Sequence, residues 1–269
     1  MTTLSDALLS RADHATAAIQ WCEPDFAVHP SIAEFYNSLS SLAFCAAGVS
    51  MSLQDLRLPL LRSPLRFTGP LVFFLGLASA AYHATLQLSW QRLDEVSENA
   101  ALVSLLHGAL QPAPTFSAFA AHAALASWGV LSVHRFLFTE LHLIGAAVAL
   151  GFALHALGAH AARARPAVRA AVAGRLLVAC AAALLGAAAW LVDRLACPHL
   201  LQLRINPQLH AWWHLAGAVA LHEAFVGAAL AGCSLDGEQP RLRVGALGLL
   251  SSVCVVDGGA VAAGPQKRK

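Results

Sequence analysis

Two apolar runs of this chain each carry a pair of side chains suited to holding a metal or activating water. Ser79 and His83 form one pair, and His210 and His214 form the other. Each pair is spaced i,i+4, about 40° apart around a helix and one turn apart along it, so both members point the same way. Three histidines with an open fourth position are the ligand set of a catalytic zinc, which lowers the pKa of its bound water to about 7. Asp94, at the start of a further apolar run, is the candidate proton acceptor for that water. Ser79 is the candidate donor to a developing oxyanion. Ionisable groups inside a membrane span are costly and by default mark a functional site.

Each residue also has a plain structural role open to it. A lone His in a span serves helix–helix hydrogen bonding, and a Ser there bonds its own i−4 carbonyl. Asp94 alone fits the N-cap of its helix. His107, His122, His142, His155 and His222 also lie in apolar runs and are alternative ligands.

The elements that must position these groups are membrane helices. At 58% hydrophobic and 12% charged, with mean hydropathy +0.61, the chain is too apolar for an ordinary soluble domain. A span needs roughly 20 residues. Uncharged runs cover 35–54, 67–91, 99–134, 141–162, 176–192 and 205–222. Gln111-Pro112-Ala113-Pro114 divides the longest into two helices. The predicted fold is therefore all-α, a bundle of seven spans at 33–54, 67–89, 94–111, 115–134, 140–160, 170–192 and 209–232. An N-terminal segment, 1–32, precedes the bundle, and a tail of limited order, 233–269, follows it.

Basic residues set the orientation. Twelve of the 17 fall in 55–66, in 161–175 and in the tail, which marks that side as cytosolic and the N-terminus as lumenal or extracellular. His83, Asp94, His210 and His214 then share the lumenal leaflet, although the orientation was fixed without them. Residues 1–31 lack a compact apolar core, so the first span is expected to act as the insertion signal. The six Trp fall towards the lumenal half, as an interfacial belt. A net charge of +2 carries no message about partners; no phosphate loop, repeat or nucleic-acid motif is present, so nucleic-acid binding is not expected, and no obligate protein partner is evident.

Four blocks of sequence resemble the alkaline ceramidases, seven-span membrane hydrolases related to the adiponectin receptors. They are Trp21-Cys22-Glu23 with Ile32-Ala33-Glu34-Phe35-Tyr36-Asn37-Ser38-Leu39-Ser40, then Ser79-Ala80-Ala81-Tyr82-His83-Ala84-Thr85-Leu86 running on to Leu93-Asp94-Glu95. Trp190-Leu191-Val192-Asp193-Arg194-Leu195-Ala196-Cys197 and His210-Ala211-Trp212-Trp213-His214 complete the set. The resemblance implies zinc on His83, His210 and His214, with Ser79 and Asp94 on the metal-bound water. It implies hydrolysis of ceramide, drawn from membrane lipid, to sphingosine and a fatty acid in an endoplasmic reticulum or Golgi membrane.

The same resemblance implies a calcium site in the N-terminal segment, built from Gln20, the Trp21 carbonyl, Glu23, Asp25 and Glu34. Hard cations take such oxygen ligands. Gln20 stands where the family usually has Asp, and Asp25 where it has Asn. Against calcium, Ser31-Ile32-Ala33-Glu34 reads as a capping box able to start the first helix without metal. Glu98 and Asn99 depart from a usually apolar stretch, with Glu98 on the face of Asp94.

Of the six cysteines, only Cys22 and Cys197 fall in lumenal segments, where disulfides persist, so a bridge between them is expected, with two unpaired thiols as the alternative. Three functions compete: a zinc-dependent ceramide amidase, a receptor of the adiponectin-receptor type with structural zinc, and a metal or proton transporter. A structural zinc is normally closed by a fourth protein ligand, and a transporter continues its polar residues through both leaflets. The amidase is the expected function.

Overall fold

The computed structural model describes residues 16–54, 64–110, 166–235, 240–244 and 251–255, with isolated helical positions between 151 and 162. Its helices are α1 (Phe35–Ser52), α2 (Thr68–Thr85), α3 (Leu88–Leu110), α4 (Pro166–Leu200) and α5 (Leu209–Leu235), with a short 3-10 helix at Pro64–Phe67. Among the described residues, three stretches are long and apolar enough to cross a membrane: Leu65–Thr85, Pro166–Leu200 and Leu209–Ser234. The predicted spans at 115–134 and 140–160 lie outside the described residues.

Small residues let these helices approach closely, as membrane helices do in the absence of a hydrophobic drive between them. α1 buries Asn37, Ser41, Phe44, Gly48 and Met51, one face at helical spacing. α2 answers with Gly69, Val72, Gly76, Ser79 and His83. A methyl group on Gly76 would lie 2.6 Å from Cys45 Sγ and 2.7 Å from its backbone nitrogen. α1 thus runs directly against the face of α2 that ends in His83. Phe44, Met51, Val72, Leu105 and Phe225 belong to one buried core that draws on α1, α2, α3 and α5.

Several boundaries differ from the sequence expectation. α3 begins at Leu88 and not at 94, because Leu86 turns into the left-handed region (φ 51°) and ends α2, and the chain re-enters a helix at once. Asp94 therefore sits inside α3 and is not its N-cap. α4 runs past the apolar stretch through Asp193 and Arg194 to Leu200, two residues beyond Pro198, whose ring removes a helical hydrogen bond. The tail, expected to have limited order, contains an antiparallel hairpin: Pro240–Val244 (β1) pairs with Ser251–Val255 (β2), Pro240 opposite Val255.

The capping box is also absent. The N-cap residue of α1 is Glu34, with no side-chain cap of its own. Glu23 supplies the cap from upstream: Oε1 accepts the Tyr36 N–H at 2.7 Å and Oε2 the Asn37 N–H at 2.9 Å. A carboxylate at a helix N-terminus satisfies orphan donors and complements the helix dipole.

Candidate metal centre

The N-terminal segment is stitched to the turn between α2 and α3, which fixes it over the ends of the helices. Thr16 and Ala17 donate their N–H groups to the Leu86 carbonyl, Ala18 N–H to Gln91 Oε1, and the Tyr82 hydroxyl to the Ile19 carbonyl at 2.6 Å. Ala33 and Glu34 then donate to the carbonyls of Ala84 and His83. The segment is thereby carried across the last turn of α2, where His83 lies.

There the structure brings together His83 from α2 and His210 and His214 from the first turns of α5. All three are buried, and one ring nitrogen from each lies within 4.8 Å of the others. Ring centroids are separated by 5.2 Å (His83–His210), 4.9 Å (His83–His214) and 4.6 Å (His210–His214). The unbonded atoms suit a metal: His83 Nε2 and His210 Nδ1 are buried polar atoms without a hydrogen-bond partner. Unpaired buried groups of this kind are costly and call for an explanation such as an ion.

Partners hold two of the rings from behind. His83 Nδ1 is 2.5 Å from Glu34 Oε2, and His214 Nδ1 is 2.8 Å from Ser40 Oγ. Such contacts on the remote imidazole nitrogen fix tautomer and orientation and raise ligand basicity. Glu34 is itself fixed by the Trp21 N–H on Oε1 and the Asn37 amide on Oε2. Ser79 is buried one turn before His83 and accepts a hydrogen bond from Ser41 Oγ at 3.1 Å, while Ser41 also faces His214 Nδ1 at 3.4 Å. Asp94 is half-buried on the second turn of α3 and does not belong to the ligand set. Asn99, on the same helix, is buried and donates to the Glu95 carbonyl.

The calcium candidates have varied surroundings. Glu23 caps α1, Glu34 backs His83, and Gln20 and Asp25 are exposed. Burial raises the Glu23 carboxyl above its ordinary range, with the Glu34 charge adding to the effect and the backbone donors of Tyr36 and Asn37 opposing it. Asp25, exposed as a residue, has a carboxyl pushed up to about 6 by desolvation and then by the Glu34 charge. Glu34 thus repels two neighbouring carboxylates.

Cys22 and Cys197 are joined as a disulfide, with Cα atoms 5.3 Å apart. The Cys22 N–H donates to Asp193 Oδ2 at 3.0 Å, and Asn206 donates to its carbonyl at 2.5 Å. The end of α4 and the loop before α5 therefore grip the segment one residue after Trp21. The Trp21 ring stacks on His210, with centroids 3.7 Å apart and planes at 12°.

Sequence reasoning gave no site role to Ser40, Ser41, Asp193 or Glu223, although Ser40 and Asp193 stand in the blocks that carry the resemblance. Ser40 and Ser41 belong, with Ser38, to a cluster of serines in an apolar run, which was the available signal. Glu223 is an acid inside a span. It is buried, accepts from Arg175 Nη1 at 2.9 Å and faces His222 Nδ1 at 3.3 Å, while Ser50 Oγ meets His222 Nε2 at 3.0 Å. His222, one of the alternative ligands, is thus engaged away from the three-histidine cluster.

Known proteins resemble this chain in sequence. The Ceramidase family model matches residues 13–247. An alkaline ceramidase of Arabidopsis thaliana is 28% identical over 227 residues, covering 79% of this chain and 82% of the relative. Alkaline ceramidase 1 of Homo sapiens is 32% identical over 87 residues, 31% of this chain and 32% of the relative. The mouse protein of that name is 36% identical over a stretch of the same length. A match that takes in the N-terminal segment, every described helix and all three clustered histidines makes this chain a member of the Ceramidase family.

Proposed function

We propose that the chain is a zinc-dependent intramembrane amidase that hydrolyses ceramide to sphingosine and a free fatty acid. The observation that carries the proposal is the buried three-histidine cluster, with the His83 Nε2 and His210 Nδ1 atoms unpartnered. His83, His210 and His214 would hold the ion. Zinc bound there supplies a Lewis acid and makes water acidic enough to give a nucleophile near neutral pH.

The chain's own groups do the rest. Asp94 accepts a proton from the water that attacks the amide carbonyl, and the Ser79 hydroxyl donates to the carbonyl oxygen as it gains charge. Ser79 accepts from Ser41, which leaves its own proton for this donation. The proton held by Asp94 passes to the departing nitrogen as the C–N bond breaks, so acid and amine leave with atoms balanced. Ceramide dissolves in the bilayer, which accounts for a polar centre among apolar helices.

The full topology belongs to the same proposal: seven spans, the N-terminus lumenal, in an endoplasmic reticulum or Golgi membrane. The Cys22–Cys197 disulfide supports that side, since disulfides persist in oxidising compartments. A calcium ion at Glu23, Asp25 and Glu34, aided by Gln20 and the Trp21 carbonyl, would relieve the repulsion among the carboxylates. Glu23 retains lone pairs for it, because each carboxylate oxygen accepts more than one contact.

The experiment is turnover of fluorescent ceramide by purified protein, before and after a strong zinc chelator. Turnover that the chelator stops and zinc restores is expected. Full activity in protein shown to be zinc-free would defeat the proposal.

A further inference from the structure

The three clustered histidines are not held alike. His83 has Glu34 on its remote nitrogen, and His214 has Ser40. With the unpartnered Nδ1 of His210 left for the metal, its second nitrogen is Nε2, and among the described residues that atom makes no hydrogen bond. A metal-binding imidazole without a partner on its second nitrogen is free to rotate about its Cβ–Cγ bond, and ligand orientation of this kind normally depends on such a partner. What touches His210 is a ring face. Trp21 lies flat on it at 3.7 Å and 12°, and the edge of Trp190 meets Trp21 at 5.7 Å and 61°.

Trp21 is fixed in turn. Its backbone N–H donates to Glu34 Oε1 at 2.9 Å, and the next residue is covalently tied to α4 through Cys197 and hydrogen-bonded to Asp193, while the indole Nε1 is buried without a hydrogen-bond partner. With its backbone anchored and its ring packed between Trp190 and His210, the indole leaves the imidazole one plane to occupy, because turning it would drive its edge into the indole face. We propose that Trp21 is the positioning residue for His210, acting through its aromatic face where the other two histidines have hydrogen bonds. The inference rests on the reading of the three histidines as metal ligands. It assigns the N-terminal segment a direct part in shaping the centre, independent of any calcium it holds.

The test is zinc affinity by chelator competition on purified full-length protein, together with the Tm of the zinc-free form. Trp21→Phe keeps an aromatic face and should stay close to wild type. Trp21→Leu should weaken zinc binding about 10–100-fold, the range for loss of an orienting partner, while its zinc-free Tm stays that of Trp21→Phe. Trp190→Leu, which removes only the edge support, should show a smaller loss. Wild-type zinc affinity in Trp21→Leu would overturn the proposal, as would equal losses in Trp21→Phe and Trp21→Leu. A His210→Ala control separates this failure from that of the metal reading: if His210→Ala binds zinc like wild type, the ligand assignment itself is wrong.

Discussion

Glu34 and His83 form a buried pair, Oε2 2.5 Å from Nδ1, with 0% and 1% of the residues exposed. One carboxylate thus links the N-terminal segment, which it meets through the Trp21 N–H, to the proposed metal ligand on α2. Glu34→Ala should lower zinc affinity by about 10–100-fold, as loss of an outer-shell carboxylate does. Glu34→Gln, which keeps an acceptor oxygen for the imidazole N–H, should lose less. Chelator competition checks both, and identical affinities in wild type and Glu34→Ala would detach Glu34 from the metal.

Removal of a ligand should have a larger effect. His83→Ala, His210→Ala and His214→Ala are each expected to abolish ceramide turnover and bound zinc while the protein still inserts, because two imidazoles do not complete a catalytic zinc site. Metal analysis of purified variants checks this. Stoichiometric zinc in a folded double-histidine variant would place the metal elsewhere.

These histidines were legible because i,i+4 spacing in an apolar run fixes a shared face before anything is known of the fold. Counting spans placed them in one leaflet, where they could converge, and the structure brings the three rings together. The segment that covers them was less legible. The Trp21–His210 stack and the Cys22–Asp193 contact join residues some 170 or more positions apart, and no periodicity encodes such a pair. Ser31 to Glu34 had the right spacing for a capping box, yet Glu23 caps α1, because the folded-back segment brings a carboxylate to the same N–H groups. α4 continued past the hydrophobic stretch because hydropathy marks the part of a helix that sits in lipid and not where the helix ends.

The carboxylates of the segment imply a pH dependence. Desolvation and the Glu34 charge hold Asp25 at about 6, above its ordinary 3.8, and burial raises Glu23 as well. The folded chain therefore keeps protons that the unfolded chain has released, and stability from these groups, full below the unfolded values, is lost as pH rises from about 4 to about 6. Calcium favours the ionised forms, so its stabilising effect should grow across that window. Thermal unfolding with and without calcium, at about pH 5 and about pH 7, checks the sign. An equal calcium shift at both would remove the ion from these carboxylates.

The disulfide closes a long loop between Cys22 and Cys197. Replacing both with Ser should reduce stability by about 2–4 kcal/mol, the usual worth of a native bridge. Mass spectrometry of unreduced protein should recover the two cysteines as one cross-linked peptide. Free thiols at both positions in freshly isolated membranes would contradict the bridge.

Asp94 and Ser79 separate catalysis from binding. Asp94 is not among the clustered ligands, so Asp94→Asn should keep its zinc and lose about 10²–10⁴-fold in turnover, the contribution of general acid–base catalysis. A purely structural role at the helix start predicts no such loss, since Asn caps a helix as well as Asp does. That role is already disfavoured, because α3 starts at Leu88 and Asp94 lies beyond its first turn. Ser79→Ala should lose about 10²–10³-fold if the hydroxyl donates to the oxyanion. The hydroxyl also accepts from Ser41, itself near His214. The zinc content of Ser79→Ala therefore has to be measured beside its rate. Slow turnover with a full complement of zinc and unchanged ceramide binding is the expected result for both variants. Near-wild-type turnover by zinc-loaded Asp94→Asn would remove the proton acceptor and leave only the three histidines in the site.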